Sequence, residues 1–341
     1  MLELVALTPA ARARWDAFIA GHAAGTVFHR AAWADVMAKA YGHRTHFVMA
    51  TRGEEVVGVL PLVEIKSRLF GHALISNAFC VGGGPLAADE GARARLLEEA
   101  ARIGRAAGVE HIELRDTGGA ESWRTKDDLY AGFEREMDVD EAKNLLQIPR
   151  KQRAVVRKAI EGPFRVTVDK DLDTFFALFS RTVRDHGTPV FPKKFFAAIL
   201  EAFPDGADIL TVWQDDRPLS SVLSYYFRDR VYPYYTGSDP AARTAGTNDL
   251  MYWKLMRHAV GRGAKVFDFG RSKVGTGPFS FKKNWGFEPR PIAHQYLLLK
   301  RDTLPNVNPT NPRYAQLIEI WRRLPVPVAN TISSFISPYL G

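Results

Sequence analysis

Apolar positions along the chain alternate in strand-like runs or recur at helical spacing, and the order of these runs repeats. A strand is expected over Leu2–Leu7, then a helix opened by Thr8-Pro9 and carrying Trp15, Phe18 and Ile19. A second helix through Ala31, Trp33, Val36, Met37 and Tyr41 ends at Gly42. Strands are expected at Phe47–Thr51, Val56–Ile65 and Leu74–Val81, the last broken by Gly82-Gly83-Gly84-Pro85. A helix with Leu96, Leu97, Ala100, Ile103 and Ala107 then ends at Gly108 and leads into Ile112-Glu-Leu114.

The second half follows the same order. Ile209–Trp213 and Leu219–Phe227 read as strands around the turn 214–218, and Val231–Thr236 breaks at Gly237. A helix from Thr247 through Leu250, Trp253, Met256 and Val260 ends near Gly261 and Gly263, before the strand Val266–Phe269. The turn at 50–57 aligns with 213–219, Gly82 with Gly237, and 108–114 with 263–269, about 155 residues apart. The expectation is a tandem duplication of a mixed α/β unit. A basic amphipathic helix over 149–161 joins the copies, with Ile148, Val155, Val156, Ala159 and Ile160 on one face. From Thr303 to Pro312 a Pro- and Asn-rich linker is expected, then a helix over Tyr314–Leu324 and an apolar, Pro-interrupted tail to Gly341.

Composition narrows the class only modestly. The chain has 341 residues, enough for two cores, with 46% hydrophobic and 25% charged residues. The single cysteine, Cys80, excludes an internal disulfide and a cysteine zinc cluster. Neither a secretory leader nor an uninterrupted apolar run of spanning length is found, so the expected location is cytoplasmic. Arg322 and Arg323 beside the apolar tail give peripheral contact with the inner membrane as an alternative to packing on a domain.

Charge placement changes the picture more. Of the formal +8, residues 149–163 contribute +4 and residues 257–283 contribute +6, leaving the rest at −2. Two focused basic patches suit a polyanion: a phosphorylated small molecule, an RNA end or an acidic lipid surface. In 266–287 a strand is expected to break at Gly270 into a loop holding Arg271, Lys273, Gly275, Thr276 and Gly277. That loop closes on Phe279, Phe281, Lys282, Lys283 and Trp285. Glycines let backbone N–H groups approach a ligand, while the cations meet a phosphate or an oxyanion. Asp268-Phe-Gly resembles the kinase magnesium motif, but no kinase catalytic loop or glycine-rich phosphate loop precedes it. Arg243, Gly246, Thr247 and Asn248 stand just before the second copy's helix, whose free N–H groups favour a phosphate; Thr247 or Asn248 is expected to cap it. In the first copy, Leu86-Ala-Ala-Asp89 places an acid there.

These residues carry a resemblance. The Arg243–Asn248 turn is similar to the pyrophosphate turn of GNAT acetyltransferases. Val27–Trp33, Ile148–Ala159, Tyr234–Ser238, Asn248–Trp253, Asp268–Ser272 and Phe281–Gly286 resemble FemAB-type aminoacyltransferases. Closest are the FemAB-related proteins of exosortase-associated exopolysaccharide systems, over roughly residues 1–300. The resemblance implies an α/β fold of two tandem GNAT-like domains with mixed sheets flanked by helices. The first would span 1–148, with the tail 303–341 returning to it, and the second 149–302.

It also implies N-acyl transfer from an anionic donor, an aminoacyl-tRNA acceptor end or acyl-coenzyme A, to an amine of a peptidoglycan or glycan precursor. No tightly bound cofactor or metal is implied. Lys282, after Phe281, is the expected oxyanion stabiliser, and Asp268 or Asp249 the candidate base. Tyr234, Tyr235, Arg271, Asp249, Lys283 and Trp285 are expected at the substrate. Arg243, Gly246, Thr247, Asn248, Arg150 and Arg153 are expected at the donor phosphate. Two alternatives stand beside this reading: a coenzyme A-dependent acyltransferase of exopolysaccharide biosynthesis, and a non-catalytic glycan- or membrane-binding scaffold.

Overall fold

The computed structural model describes residues 1–68, 70–116, 122–305 and 315–341. Most of the expected linker at 303–312, and Tyr314, lie outside them. One unit comprises 1–129, 292–308 and 336–341; the other comprises 130–291 and 309–335.

In the first unit β1 (Leu2–Ala6) precedes α1 (Arg12–Gly21) and α2 (Trp33–Tyr41). Then come β2 (Thr45–Arg52), β3 (Glu55–Ser67), β4 (Gly71–Ser76), the short β5 (Leu86–Ala87), α3 (Glu90–Ala107) and β6 (His111–Arg115). β1 to β4 pair antiparallel in order, and β4 pairs parallel with β6. β4 ends earlier than expected because Asn77 and Phe79 take positive φ, 36° and 69°, which turns the chain out of the sheet. α3 lays Leu96, Leu97 and Ala100 on Leu60, Leu62, Leu74 and Ile112. Its N-cap Asp89 accepts the Ala92 N–H at 2.9 Å and pairs with Arg52 at 2.7 Å, so its N-terminus is closed by a carboxylate.

After β7 (Arg124–Glu136), the second unit holds α4 (Glu141–Gln147), α5 (Arg150–Ile160), β8 (Phe164–Asp169), α6 (Leu172–Asp185) and α7 (Lys193–Ala202). β9 (Ala207–Gln214), β10 (Arg217–Phe227), β11 (Arg230–Ser238), α8 (Ala242–Ala245), α9 (Thr247–Gly261) and β12 (Val266–Lys273) follow. Next are α10 (Gly277–Asn284), β13 (Pro289–Leu298), α11 (Ala315–Arg323) and α12 (Val326–Ile336). β8 to β11 pair antiparallel in order, and β11 pairs parallel with β12. Strand, two helices, three strands, helix, parallel strand: the two units share one topology, as the repeat in the sequence implies.

Each parallel strand gains an antiparallel neighbour from the opposite half of the sequence. Residues 130–136 of β7 pair with β12, and residues 294–298 of β13 pair with β6. Neither β7 nor β13 was expected. This exchange moves the boundary from the expected 148/149 to 129/130. The tail is also displaced: 315–335 belong to the second unit, where Arg184 Nη1 donates to Leu324 O at 2.6 Å, and only 336–341 return to the first.

Two glycine readings change. Gly237 does not break β11; a Cβ there would meet the Phe179 backbone nitrogen at 2.2 Å, so glycine admits the close approach of α6. Gly270 does not end β12 either. The strand continues to Lys273 through a bulge between Asp268 and Arg271, with Gly270 at φ +67° and its N–H held by Asp268 Oδ1 at 2.9 Å. Among the described residues no helix is long and apolar enough to cross a membrane, and no cluster of His, Cys, Asp and Glu is arranged for a metal.

Candidate active site

The ladder between β11 and β12 consists of Arg230 with Val266 and Val231 with Phe267. β11 then runs on to Ser238 and β12 to Lys273, so two parallel strands leave one another and open a wedge. Bulges accompany the parting on both strands. On β11, Pro233 faces Ser224 and Tyr235 faces Leu223, leaving Tyr234 as the extra residue; on β12 the bulge is that of Gly270. α9 leaves the end of β11 and returns to the start of β12, so its N-terminus lies at the open end.

Lys282 packs against β12 and β7. The run 277–284, expected as a loop, is the helix α10 with Pro278 in its first turn, where a missing N–H costs nothing. The helix turns Lys282 inward, 8% exposed. Its Nζ donates to Gly270 O at 3.2 Å and Arg271 O at 3.0 Å, carbonyls of the bulge. It lies 5.3 Å from the Phe269 ring centroid and 5.4 Å from that of Phe133. Burial lowers its pKa to about 7, with Asp268 opposing and Arg271 adding to the shift. An amine that changes charge near neutrality, with two of its three donor directions used, is suited to reactive chemistry.

α10 is anchored by Asp249. This carboxylate, buried in the first turn of α9, accepts the Trp285 indole N–H at 2.8 Å and the Gln152 amide at 2.5 Å. It therefore joins α5, α9 and α10, and burial raises its pKa. Trp285 is fully buried in the core of this unit. Both were expected at the substrate; both are buried, with the carboxylate holding the indole N–H. Tyr235 is likewise enclosed, edge-on to Phe196 at 5.1 Å and Phe179 at 5.8 Å.

At the N-terminus of α9 the N-cap is Gly246 at φ +73°, with no side-chain cap. Thr247 and Asn248 do not cap it as expected. Their side chains bond to Ser220 Oγ of β10, Thr247 Oγ1 at 2.7 Å and Asn248 Oδ1 at 2.9 Å. Thr247 is fully buried and Arg243 exposed. α5 lies alongside, since a Cβ on Gly246 would sit 3.4 Å from that of Ala159. On α5, Arg150, Arg153, Arg157 and Lys158 with Ala154 and Glu161 line an open depression of about 530 Å³. None of Arg271, Lys273, Lys282 or Lys283 lines it, so the two basic patches do not share this depression.

The remaining candidates divide. Tyr234 is half-buried against Tyr225 at 5.2 Å; Arg271 is half-buried with its guanidinium 4.4 Å from the Tyr130 ring centroid. Asp268 lies on the bulge beside Lys282, and Lys283 is exposed on the outer side of α10. Gln152, Ser220, Tyr130 and Phe133 were missed. Nothing local marks Ser220 or Gln152, and the last two lie on β7.

Residues 144–283 match the family "Acetyltransferase (GNAT) domain". A search of curated protein sequences gave no significant match. Among solved structures, FemX is similar at 18% identity and a TM-score of 0.69, covering 93% of this chain and 100% of FemX. The structure of L-PGS from Bacillus licheniformis is similar at 12% identity and a TM-score of 0.55, covering 93% and 97%. A tandem GNAT protein from the clavulanic acid biosynthesis pathway is similar at 13% identity and a TM-score of 0.54, covering 87% and 98%. The chain thus has a fold similar to those of FemX and of a tandem GNAT protein, and residues 144–283, largely in its second unit, match an acetyltransferase (GNAT) domain.

Proposed function

We propose that the second unit binds an anionic acyl donor across the N-terminus of α9 and transfers its acyl group to an amine. Two observations support this: β11 and β12 part after two paired positions, and Lys282 Nζ is held on β12 by the carbonyls of Gly270 and Arg271. The α9 N-terminus at Thr247–Asn248, which no side chain caps, supplies partial positive charge for a phosphate, and Arg243 adds an exposed cation. The acyl carbonyl then enters the wedge. Attack by the amine forms a C–N bond and places charge on the carbonyl oxygen. The third N–H of a protonated Lys282 stabilises that charge; collapse expels the donor's oxygen or sulfur, which leaves carrying the proton lost by the attacking amine. Asp268 holds the bulge whose carbonyls fix Lys282. Tyr234 and Arg271 orient the acceptor.

The donor is proposed to be aminoacyl-tRNA. The observation favouring it is α5: five cations, Arg150, Lys151, Arg153, Arg157 and Lys158, on one exposed helix beside the α9 N-terminus. That is more charge than one pyrophosphate requires. Acyl-coenzyme A is the second reading, supported by the acetyltransferase domain match. The proposed acceptor is an amine of a cell-wall or surface-polysaccharide precursor, the reading carried by the resemblance to FemAB-type proteins. Thermal unfolding with aminoacyl-tRNA, acyl-coenzyme A and uncharged tRNA, followed by single-turnover transfer to an amine acceptor, tests it. Protection by aminoacyl-tRNA with transfer is expected. Protection by neither donor, without transfer, would favour a non-catalytic scaffold.

A further inference from the structure

α12 is packed inside out. Its inward face is small, with Ala329 and Ser333 each 1% exposed, and Ser333 Oγ accepts the Val190 N–H at 3.0 Å. Its outward face is large and apolar: Val328, Ile332 and Phe335 are 43%, 37% and 73% exposed. Spacings of four and three put these on one stripe. α11 does the same, with Leu317 and Ile320 61% and 60% exposed while Ile318 packs over Gly187. Two consecutive helices thus turn five large apolar side chains to solvent, more than scattered exposure accounts for.

The surrounding charge identifies the cover. From Ile320 to Gly341 there is no acidic residue. Arg322 and Arg323 close α11 and share one carboxylate, Glu319, at 3.8 and 3.1 Å. Lys194 is exposed at the start of α7, four residues beyond the Val190 that α12 contacts. Helices of 9 and 11 residues are too short to cross a bilayer. An apolar stripe beside cations that outnumber their one acidic partner, on helices too short to span, fits the interface of an anionic bilayer.

We propose that α11 and α12 dock the protein on an anionic membrane surface, inserting Leu317, Ile320, Val328, Ile332 and Phe335 below the headgroups. This is independent of the donor site. The test is flotation of the full chain with phosphatidylglycerol–phosphatidylcholine vesicles against phosphatidylcholine alone. Binding to the anionic vesicles is expected, with at least a tenfold loss in Ile332→Glu/Phe335→Glu at unchanged Tm. Arg153→Glu/Arg157→Glu on α5 should still float. Absence of flotation, or loss through the α5 variant alone, would overturn the proposal. So would a self-associated wild type that Ile332→Glu/Phe335→Glu converts to monomer without any vesicle binding, since a second copy would then be the cover.

Discussion

The Nζ of Lys282 lies 3.0 Å from the carbonyl oxygen of Arg271, so the residue on α10 is fixed by the backbone bulge of β12. An amine held this way needs no partner side chain and keeps one donor for a ligand. If that donor meets the oxyanion, Lys282→Ala lowers the single-turnover rate ~10²-fold or more with little change in donor affinity. Lys283→Ala, one position on and exposed, changes the rate little. Equal small losses in both variants would reduce Lys282 to patch charge.

Burial that lowers the Lys282 pKa to about 7 makes the folded state bind fewer protons than the unfolded chain above that pH. Stability therefore rises as pH climbs from about 7 toward the unfolded lysine value, and the penalty is complete below about 7. Lys282→Met removes the penalty, so its melting temperature relative to wild type is highest at low pH and the gap narrows toward pH ~10. A pH-independent gap would refute the assignment. In catalysis the sign is opposite: if the ammonium is the active form, kcat falls as pH passes upward through about 7.

Asp249 is read as a support. Asp249→Ala strands the buried Trp285 N–H and is expected to cost ~1–3 kcal/mol, seen as a lower midpoint in urea unfolding. Asp249→Asn keeps an acceptor and restores much of it. Donor affinity measured on the folded fraction stays near wild type; a large loss there with normal stability would return Asp249 to the substrate.

Salt dependence separates the donors. Each phosphate contact made by α5 to single-stranded RNA adds ~0.7 to the slope of log affinity against log salt. Arg153→Glu/Arg157→Glu should flatten that slope for aminoacyl-tRNA and leave acyl-coenzyme A affinity nearly unchanged. An unaltered tRNA slope would remove α5 from the donor path.

Gly237→Ala tests the approach of α6 to β11. The new methyl would face the backbone of Leu178 and Phe179, which cannot swing away as a side-chain tip would. A loss of ~1–3 kcal/mol or more is expected by chemical unfolding. A neutral result would mean that α6 shifts freely.

The chain alone determined the order of elements within each half, the duplication and the placement of charge. Those depend on local properties: apolar periodicity, glycine punctuation and the identity of neighbours. It placed the strand before Gly270, the helix from Thr247 and the acid at Asp89 because each is signalled within a few residues. Tertiary structure decided what these signals could not. β7 begins with charged and exposed positions from Arg124 to Asp128 and becomes a strand by pairing with β12, well over a hundred residues later. Trp285, Tyr235 and Asp249 have the chemistry of ligand contacts, but three helices and an aromatic cluster bury them. Lys282 and Lys283 are adjacent and alike in sequence; the rotation of α10 drives one into an apolar pocket, where desolvation lowers its pKa, and leaves the other in water.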